Sequence, residues 1–205
     1  MEPESNVAAV VLAAGRSSRI GEPKALLRMG GRSFVGRIVR TLASAGAHPI
    51  LVVAAPDTAA AIGEAAPEAQ LAVNAQPQRG QLSSLQTGLS ALPPTIAAVL
   101  FMPVDLPLVR RDTVAALIAE WRRAPAAVVR PVRAGRHGHP VLVDRRVMDA
   151  LLAAGHDQTT RGIIRHCAGG ITDVPVDDEG AFMDVDTRED YARALEGSEV
   201  EDPIL

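Results

Sequence analysis

Apolar runs of strand length alternate with helix-like stretches along most of this chain. The runs at 7–14 (VAAVVLAA) and 96–104 (IAAVLFMPV) contain no polar side chain, which is typical of strands buried on both faces of a sheet. Further strands are predicted at 49–55, 71–74 and 126–132, and helices at 34–46, 58–66, 82–92 and 111–123. Repeated βα units of this kind predict an α/β fold, a mostly parallel sheet with helices on both faces.

The last third of the chain continues the pattern less regularly. The stretch 139–167 predicts a strand followed by two helices, and 187–197 predicts a closing helix. Residues 171–176 (ITDVPV) predict a late strand. Its direction stays open, with an antiparallel orientation as one alternative. Because neither a linker nor an internal repeat is visible, we predict a single domain over residues 1–205, of which 198–205 form a flexible tail.

Composition excludes several classes of function. Aromatic residues make up only 2% of the chain and the net charge is −3, so neither a stacking platform for single strands nor a basic face for duplexes is expected. The one cysteine, Cys167, excludes an intrachain disulfide framework and a cysteine-rich metal site. The acidic start MEPESN is unlike a signal peptide, and no apolar run approaches the ~20 residues of a membrane span. We therefore expect a cytoplasmic protein that binds neither nucleic acid nor membranes.

The first predicted strand runs directly into a flexible, basic loop, LAAGRSSRIGEPK, at residues 12–24. Ligands of parallel α/β sheets bind beyond the carboxyl ends of the strands. At this place Gly15 lets the backbone approach a phosphate or a base closely. Arg16, Arg19 and Lys24 supply positive charge for an anion. The spacing matches neither the P-loop nor the dinucleotide fingerprint, and a solvated basic loop is an equal alternative on local chemistry alone.

This loop resembles the signature L-A-A-G-x-[ST]-x-R-[ML]-G-x-x-K of sugar-phosphate and molybdenum-cofactor nucleotidyltransferases, the MobA-like NTP transferase family. The resemblance implies one Rossmann-like nucleotidyltransferase domain, which transfers a nucleotidyl group from an NTP to a phosphate acceptor and releases pyrophosphate. It also implies that Arg19 and Lys24 are catalytic, since the family's cations at these positions neutralise the triphosphate. Position 20 departs mildly from the signature, with Ile in place of Met or Leu. The nucleotide-binding residues that the resemblance implies here are Leu12, Ala13, Ala14, Gly15, Arg16, Arg19 and Lys24.

A carboxylate, Asp105, stands directly after the predicted strand at 96–104. An unpaired buried carboxylate is costly, and this one is expected near the same ligand crevice. A turn residue is the structural alternative, because Asp before Leu-Pro favours a turn. The family resemblance implies that this D-x-P motif binds Mg²⁺, which makes Asp105 a catalytic residue and a metal ligand.

A second acidic group lies in the stretch MDVDTREDY at 183–191. Asp184 and Asp186 are two residues apart, so both carboxylates face one side of an extended segment. Capping of the following helix by Asp186 or Thr187 is the alternative. The stretch is similar to the family's D-[IV]-D-T-P-E-D-[YL], although Arg188 replaces the proline. The resemblance implies that Asp186, in preference to Asp184, is the second Mg²⁺ ligand.

The stretch NAQPQRGQLSSLQTGL at 74–89 leads from a strand end into a helix. It is read either as a loop with a capping serine or as a loop that binds the base. It is similar to the G-[QM]-x-x-S-[LI] stretch of cytidylyltransferases that act on molybdopterin, whereas the G-P-L-A-G loop of guanylyl relatives is absent. The resemblance implies that Gln81 and Ser84 bind the nucleotide, and it favours CTP over GTP.

Two further stretches are assigned to the acceptor. In RAGRHGHPVLVD at 133–144, His137 and His139 would make a weak metal site, since no third His or Cys lies nearby in the sequence. The G-H-P-V segment resembles the molybdopterin branch, which implies that His139 binds the acceptor. The stretch GHDQTTRG is a looser match to the same branch, and from it we assign Arg161 to the acceptor as well.

Together these motifs predict an Mg²⁺-dependent transfer of CMP from CTP to Mo-molybdopterin, with release of pyrophosphate. A guanylyltransferase on the same pterin, and a sugar-phosphate or methylerythritol-phosphate nucleotidyltransferase, are the catalytic alternatives. A non-catalytic protein that handles the cofactor is less favoured, because it would not need converging charges of both signs. The implied partners are the NTP, the phosphorylated acceptor and, transiently, a molybdenum hydroxylase or its chaperone.

Overall fold

A computed structural model describes residues 6–15, 21–155, 157–167 and 169–198. The strands are β1 (Val7–Leu12), β2 (Arg28–Met29), β3 (Arg32–Ser33), β4 (Ile50–Ala54), β5 (Gln70–Val73), β6 (Ala98–Pro103), β7 (Val128–Arg133), β8 (Arg136–His137), β9 (Val141–Asp144) and β10 (Ile171–Pro175). The helices are α1 (Phe34–Ser44), α2 (Ala59–Ala65), α3 (Gln81–Ala91), α4 (Arg111–Arg123), α5 (Arg145–Ala153), α6 (Thr160–Arg165) and α7 (Arg188–Ser198). Short 3-10 turns occupy Lys24–Leu26, Pro77–Arg79 and Glu179–Phe182.

The main sheet has the order β10-β7-β9-β6-β1-β4-β5, with β8 beside β7. Strand β1 lies near the centre and pairs in parallel with both β4 and β6, so that Val11 stands opposite Val52 on one side and Met102 on the other. The chain builds the sheet outward through β4 and β5 and then returns to the opposite side of β1 with β6. This reversal of direction opens a crevice at the carboxyl ends of β1 and β6.

Each face of the sheet carries its own apolar layer, because successive side chains of a strand point to opposite faces. Along β1, Val7, Ala9 and Val11 pack with α1 and α4, whereas Ala8 and Val10 pack with α3 and α5. The small side chains permit close packing of the helices on the sheet. A Cβ placed on Gly88 of α3 would come within 2.6 Å of the Val10 side chain.

The predicted mostly parallel sheet with helices on both faces is confirmed. The alternative of an antiparallel late strand is wrong, because β10 pairs in parallel with β7. The antiparallel strand of the main path is β9, which lies between β6 and β7. Only seven residues, 134–140, join β7 to β9, which is too short for the crossover that a parallel neighbour needs.

Two short elements that the sequence analysis did not predict are the hairpin of β2 with β3 and the strand β8. Each of these three strands has two residues, too few for a periodic pattern to be visible. The predicted tail at 198–205 lies almost entirely outside the described residues. None of the helices within the described ranges has the length and apolar character needed to span a membrane.

Candidate active site

A cavity of about 300 Å³ lies at the carboxyl ends of β1 and β6. The backbone leaves β1 along a fixed path, since Ala13 N donates to Val53 O at 2.8 Å and Val104 N donates to Leu12 O at 3.1 Å. Among the residues that the structure describes, no atom would lie within 4 Å of a Cβ on Gly15. The residues that line the cavity are Leu12, Ala13, Ala14, Gly15, Pro23, Lys24, Ala25, Pro77, Gly80, Gln81, Ser84, Pro103, Val104 and Asp105.

At this cavity Lys24 contacts two carboxylates that lie far away in the sequence, Asp105 and Asp186. It begins a 3-10 turn after Pro23, and its ammonium group lies 3.6 Å from Asp105 Oδ2 and donates a hydrogen bond to Asp186 Oδ1. Lys24 is also the only lysine in the sequence, among 21 Lys and Arg residues. A compact ammonium ion suits a site where one positive charge must sit between two carboxylates.

Burial of the Asp105 carboxyl raises its pKa above the usual value. The Lys24 ammonium opposes this shift, whereas the neighbouring carboxylates of Asp184 and Asp186 add to it. Within the described ranges Asp105 Oδ1 is buried and has no hydrogen-bond partner. A buried carboxylate oxygen without a partner costs free energy, which is expected where a ligand or a cation supplies the missing contact.

The segment that carries Asp184 and Asp186 is held at two points, by the turn that follows β6 and by the start of α4. Val185 N donates to Asp105 O at 2.8 Å. Further upstream, the buried Asp178 accepts hydrogen bonds from Arg110 N at 2.8 Å and from Thr113 Oγ1 at 2.6 Å. These contacts fix the distance between the acidic segment and the end of β6.

Helix capping does not account for the Asp186 carboxylate. The start of α7 is capped by a reciprocal pair, in which Thr187 N donates to Asp190 Oδ2 at 2.9 Å and Asp190 N donates to Thr187 Oγ1 at 3.1 Å. Hydrogen bonds from Thr187 lower the pKa of Asp190 to about 2. Asp186 is therefore available to face Lys24 while its neighbours cap the helix.

The donor set fits a hard divalent cation with few protein ligands. Among the residues that the structure describes, no cluster of three or more His, Cys, Asp or Glu side chains surrounds a possible metal position. Mg²⁺ is bound in nucleotide sites by one or two carboxylates together with phosphate oxygens and waters. Asp105, with its unpartnered Oδ1, and Asp186 provide such a pair.

The start of α3 forms another wall of the cavity. Gly80 has a φ of 90° and precedes the helix without a side-chain cap, so the alternative of a capping serine is not met at this position. Gln81 and Ser84 both line the cavity from the first turn. The buried Asn74, which the sequence analysis noted only as a strand end, donates hydrogen bonds to Ser83 Oγ at 2.9 Å and to Ser84 Oγ at 3.0 Å.

A second cavity of about 760 Å³ lies between the β7–β9 region and α6, and it shares Gln81 with the first. Both residues assigned to the acceptor, His139 and Arg161, line it. Burial lowers the pKa of His139, which favours the neutral imidazole. Sequence reasoning missed four other polar residues on its wall, which are Arg130, Arg136, Thr160 and Arg165.

The position of His139 is set by close backbone contacts. His139 N donates to Ala181 O at 2.9 Å, and the ring makes an edge contact with Phe101 at a centroid distance of 6.1 Å. A Cβ on Gly138 would lie only 2.2 Å from Ala181 O, so this position requires glycine. The G-H-P segment is thereby packed beside the segment that leads to Asp184.

Two predicted site residues, Arg16 and Arg19, lie outside the described residues. His137, the other histidine of the G-H-P loop, contacts Arg130 and Asp173 instead of a metal-ligand set, with Arg130 Nη2 3.0 Å from His137 Nε2. The structure thus brings together residues 12–15, Lys24, Asp105, Asp186, Gln81 and Ser84, and it places His139 and Arg161 in the adjoining cavity.

Residues 9–171 match the family model of the MobA-like NTP transferase domain. The chain belongs to this family. Among curated members and relatives, 2-C-methyl-D-erythritol 4-phosphate cytidylyltransferase of Streptomyces coelicolor is 37% identical over 137 residues, 61% of this chain and 49% of that protein. A probable molybdenum cofactor guanylyltransferase of Rhodopirellula baltica is 34% identical over 122 residues, 58% of each chain. The chain thus spans about half the length of these relatives.

One relative matches the MobA-like chain over nearly its whole length. Nicotine blue oxidoreductase of Paenarthrobacter nicotinovorans is 30% identical over 197 residues, 92% of this chain and 96% of that protein. Among solved structures, Rv0371c from Mycobacterium tuberculosis is 27% identical with a TM-score of 0.81, covering 94% of this chain and 98% of the other. A complex of Rv0371c with manganese is 25% identical with a TM-score of 0.76, covering 93% and 98%.

Proposed function

We propose that this MobA-like protein is an Mg²⁺-dependent nucleotidyltransferase that transfers CMP from CTP to Mo-molybdopterin and releases pyrophosphate. The observation that carries the proposal is the meeting of Lys24 with Asp105 and Asp186 in a cavity at the carboxyl ends of β1 and β6. Charges of both signs at such a place suit a triphosphate bound together with a cation.

The reaction needs positioning and charge screening more than acid–base chemistry. A phosphate oxygen of the acceptor forms a bond to the α-phosphorus of CTP, while the bond to the bridging oxygen breaks and pyrophosphate leaves with the electron pair. Mg²⁺, when bound, screens the negative charge of the phosphates. Asp105 and Asp186 would hold it, Lys24 would neutralise the triphosphate, and Arg16 and Arg19 stay predicted to assist. The acceptor is already an anion, so we assign no general base.

The start of α3 supports a pyrimidine nucleotide at the cavity. Gln81 and Ser84 present polar side chains there, and one of the relatives is named a cytidylyltransferase. We therefore propose CTP as the nucleotide. GTP is the alternative, since another relative is named a probable guanylyltransferase.

The second cavity supports a bulky, anionic acceptor. Its volume of about 760 Å³ exceeds that of the first cavity, and Arg136, Arg161 and Arg165 contribute positive charge to its wall, where Arg130 is paired with Asp173. We propose that His139 and Arg161 bind the acceptor there and that Mo-molybdopterin is this acceptor. Methylerythritol phosphate and sugar phosphates are the alternatives. Such an enzyme would act in the cytoplasm and pass its product to a molybdenum hydroxylase or its chaperone.

The full-length match to nicotine blue oxidoreductase raises a second candidate function, the reduction of an organic substrate. Nucleotidyl transfer explains the paired carboxylates and the lysine between them, because it must handle the charge of a triphosphate. Reduction of an organic substrate gives these three charges no comparable role.

The experiment is a panel of the four NTPs with purified Mo-molybdopterin and Mg²⁺, read by pyrophosphate release and by mass spectrometry of the product. We expect pyrophosphate and a cytosine dinucleotide with CTP above all other NTPs. A guanine dinucleotide as the main product would show that GTP, and not CTP, is the nucleotide substrate. Binding of NTPs without pyrophosphate release, for any of the acceptors named above, would refute nucleotidyl transfer.

A further inference from the structure

A hydrogen-bond network behind the nucleotide cavity is centred on Asn74. This residue follows β5, and only 4% of its surface is exposed. Its backbone is fixed by the bond from Asn74 N to Ala54 O at 2.9 Å. Its side chain donates to Ser84 Oγ in the first turn of α3, and this turn lines the cavity through Gln81 and Ser84.

The direction of the Asn74 amide follows from its partners. Gln76 N donates to Asn74 Oδ1 at 2.9 Å, so this atom must be the carbonyl oxygen. The amide nitrogen, which can only donate, uses its two hydrogens for Ser83 Oγ at 2.9 Å and Ser84 Oγ at 3.0 Å. Both serine oxygens therefore act as acceptors toward Asn74.

The two serine hydroxyls differ in where their own hydrogens go. The Ser83 hydroxyl has backbone acceptors, Gly80 O at 3.1 Å and Gln76 O at 3.3 Å. Within the described ranges the structure gives the Ser84 hydroxyl no acceptor, although Ser84 is buried and lines the cavity. Because a buried hydroxyl hydrogen requires an acceptor, the ligand in the cavity is the natural source of one.

We propose that Asn74 is a positioning residue, which holds the Ser84 hydroxyl as a hydrogen-bond donor directed at the base of the bound nucleotide. This inference rests on the proposed function and makes it more specific. The site then selects a base that presents an acceptor atom to the start of α3. Cytosine offers its carbonyl oxygen and ring nitrogen for this contact.

Three substitutions separate positioning from a general effect on structure. Asn74→Asp has nearly the same shape but replaces the donating nitrogen with an accepting oxygen, so the Ser84 hydroxyl would turn its hydrogen toward position 74. Ser84→Ala removes the donor itself. Ser83→Ala is the matched control, since it removes the other acceptor of the same amide and leaves the bond between Asn74 and Ser84.

The measurement is the dissociation constant of CTP with Mg²⁺, by titration calorimetry, with inorganic tripolyphosphate as a probe that lacks a base. We expect Asn74→Asp and Ser84→Ala each to weaken CTP binding about 3- to 10-fold, the range for one hydrogen bond between neutral groups. Tripolyphosphate binding should stay within twofold of the unchanged protein, and Ser83→Ala should leave both ligands unaffected. The double variant Asn74→Asp/Ser84→Ala should bind CTP no more weakly than Ser84→Ala alone.

Several results would overturn the inference. Unchanged CTP binding in Asn74→Asp and Ser84→Ala would do so, and so would additive losses in the double variant. Equal losses for CTP and tripolyphosphate in Asn74→Asp would show a structural effect instead of base recognition. The proposed function fails separately, if the unchanged protein binds neither CTP nor tripolyphosphate.

Discussion

The two neighbouring cavities are built from different parts of the fold and carry different charge. The first cavity, where we propose that the nucleotide binds, lies where two parallel strands, β1 and β6, end, and it combines Lys24 with Asp105 and Asp186. The second cavity is enclosed by the antiparallel region around β9 and by the six-residue helix α6. Its charged wall residues are arginines, and no carboxylate is among the described residues that line it.

This difference matches the division that we propose, in which the first cavity holds the reacting phosphates and the second binds the acceptor. A triphosphate with its cation needs charges of both signs at fixed positions, and strand ends in a sheet provide such positions. An anionic acceptor needs positive charge and a cavity of matching shape, which loops and a short helix provide. Gln81 lines both cavities, so the two ligands would meet beside it. Substitutions in each cavity test whether the two cavities act as separate parts.

The largest effect is expected for Asp105→Asn. We expect turnover to fall about 10³-fold or more, because the loss of one preorganised charged group at a reacting centre is worth roughly 10²–10³ and this residue is also a proposed metal ligand. Pyrophosphate release measures the rate, and circular dichroism checks the fold. A variant that keeps a near-normal rate would remove Asp105 from the mechanism.

Lys24→Ala is expected to lower turnover roughly 10²- to 10³-fold, with the fold intact. Lys24→Arg should recover little of it, since a planar guanidinium does not replace a compact ammonium between two carboxylates. As the chain has no other lysine, an amine-reactive reagent provides an independent measurement on the unchanged protein. CTP with Mg²⁺ should slow modification of Lys24, and absence of protection would contradict the assignment.

A smaller and selective effect is expected in the second cavity. Arg161→Ala should raise the KM for the acceptor about tenfold while the KM for CTP stays within twofold, because the side chain lines only the acceptor cavity. Arg122→Ala, an exposed residue of α4 outside both cavities, is the matched control. If Arg161→Ala changed the KM for CTP equally, the two cavities would not be separate in function.

The smallest effect concerns stability without metal. Burial raises the pKa of Asp105. Ionisation of this carboxyl therefore costs more free energy in the folded protein than in the unfolded chain, and this difference lowers the free energy of unfolding. This cost is absent at low pH and develops as the pH rises through the raised pKa. Asp105→Asn should therefore be more stable than the unchanged protein by roughly 0.5–2 kcal/mol at pH 8, and the difference should shrink at pH 4. Urea unfolding at both pH values measures it, and a pH-independent difference would argue against the burial cost.

The sequence predicted the first cavity more completely than the second. The loop after β1 and Asp105 were predicted as neighbours because the carboxyl ends of parallel strands meet at one edge of a sheet, whereas Ser84 was assigned to the nucleotide through the family resemblance. Asp186 was associated with them only through the family resemblance. Its contact with Lys24 depends on how the segment 177–186 packs, which local patterns do not reveal. The roles of Arg16 and Arg19 stay predictions.

The residues of the second cavity were predicted less completely. Arg130 lies on β7 and Arg165 on α6, and their approach depends on tertiary packing of elements that carry no shared motif. Asn74 was visible as a strand end, but its bonds to the serines nine and ten residues later require the turn at Pro77–Arg79. The direction of β9 was predictable in principle from its short connection to β7.

The central claim is that one end of the sheet holds a metal-bound triphosphate beside an anionic acceptor. Mass spectrometry of a reaction containing the protein, CTP, Mg²⁺ and Mo-molybdopterin tests it most directly. The account predicts one pyrophosphate for each acceptor molecule converted, and a product that carries the CMP group on the pterin phosphate. An unchanged acceptor with intact CTP, under conditions where both are bound, would contradict it.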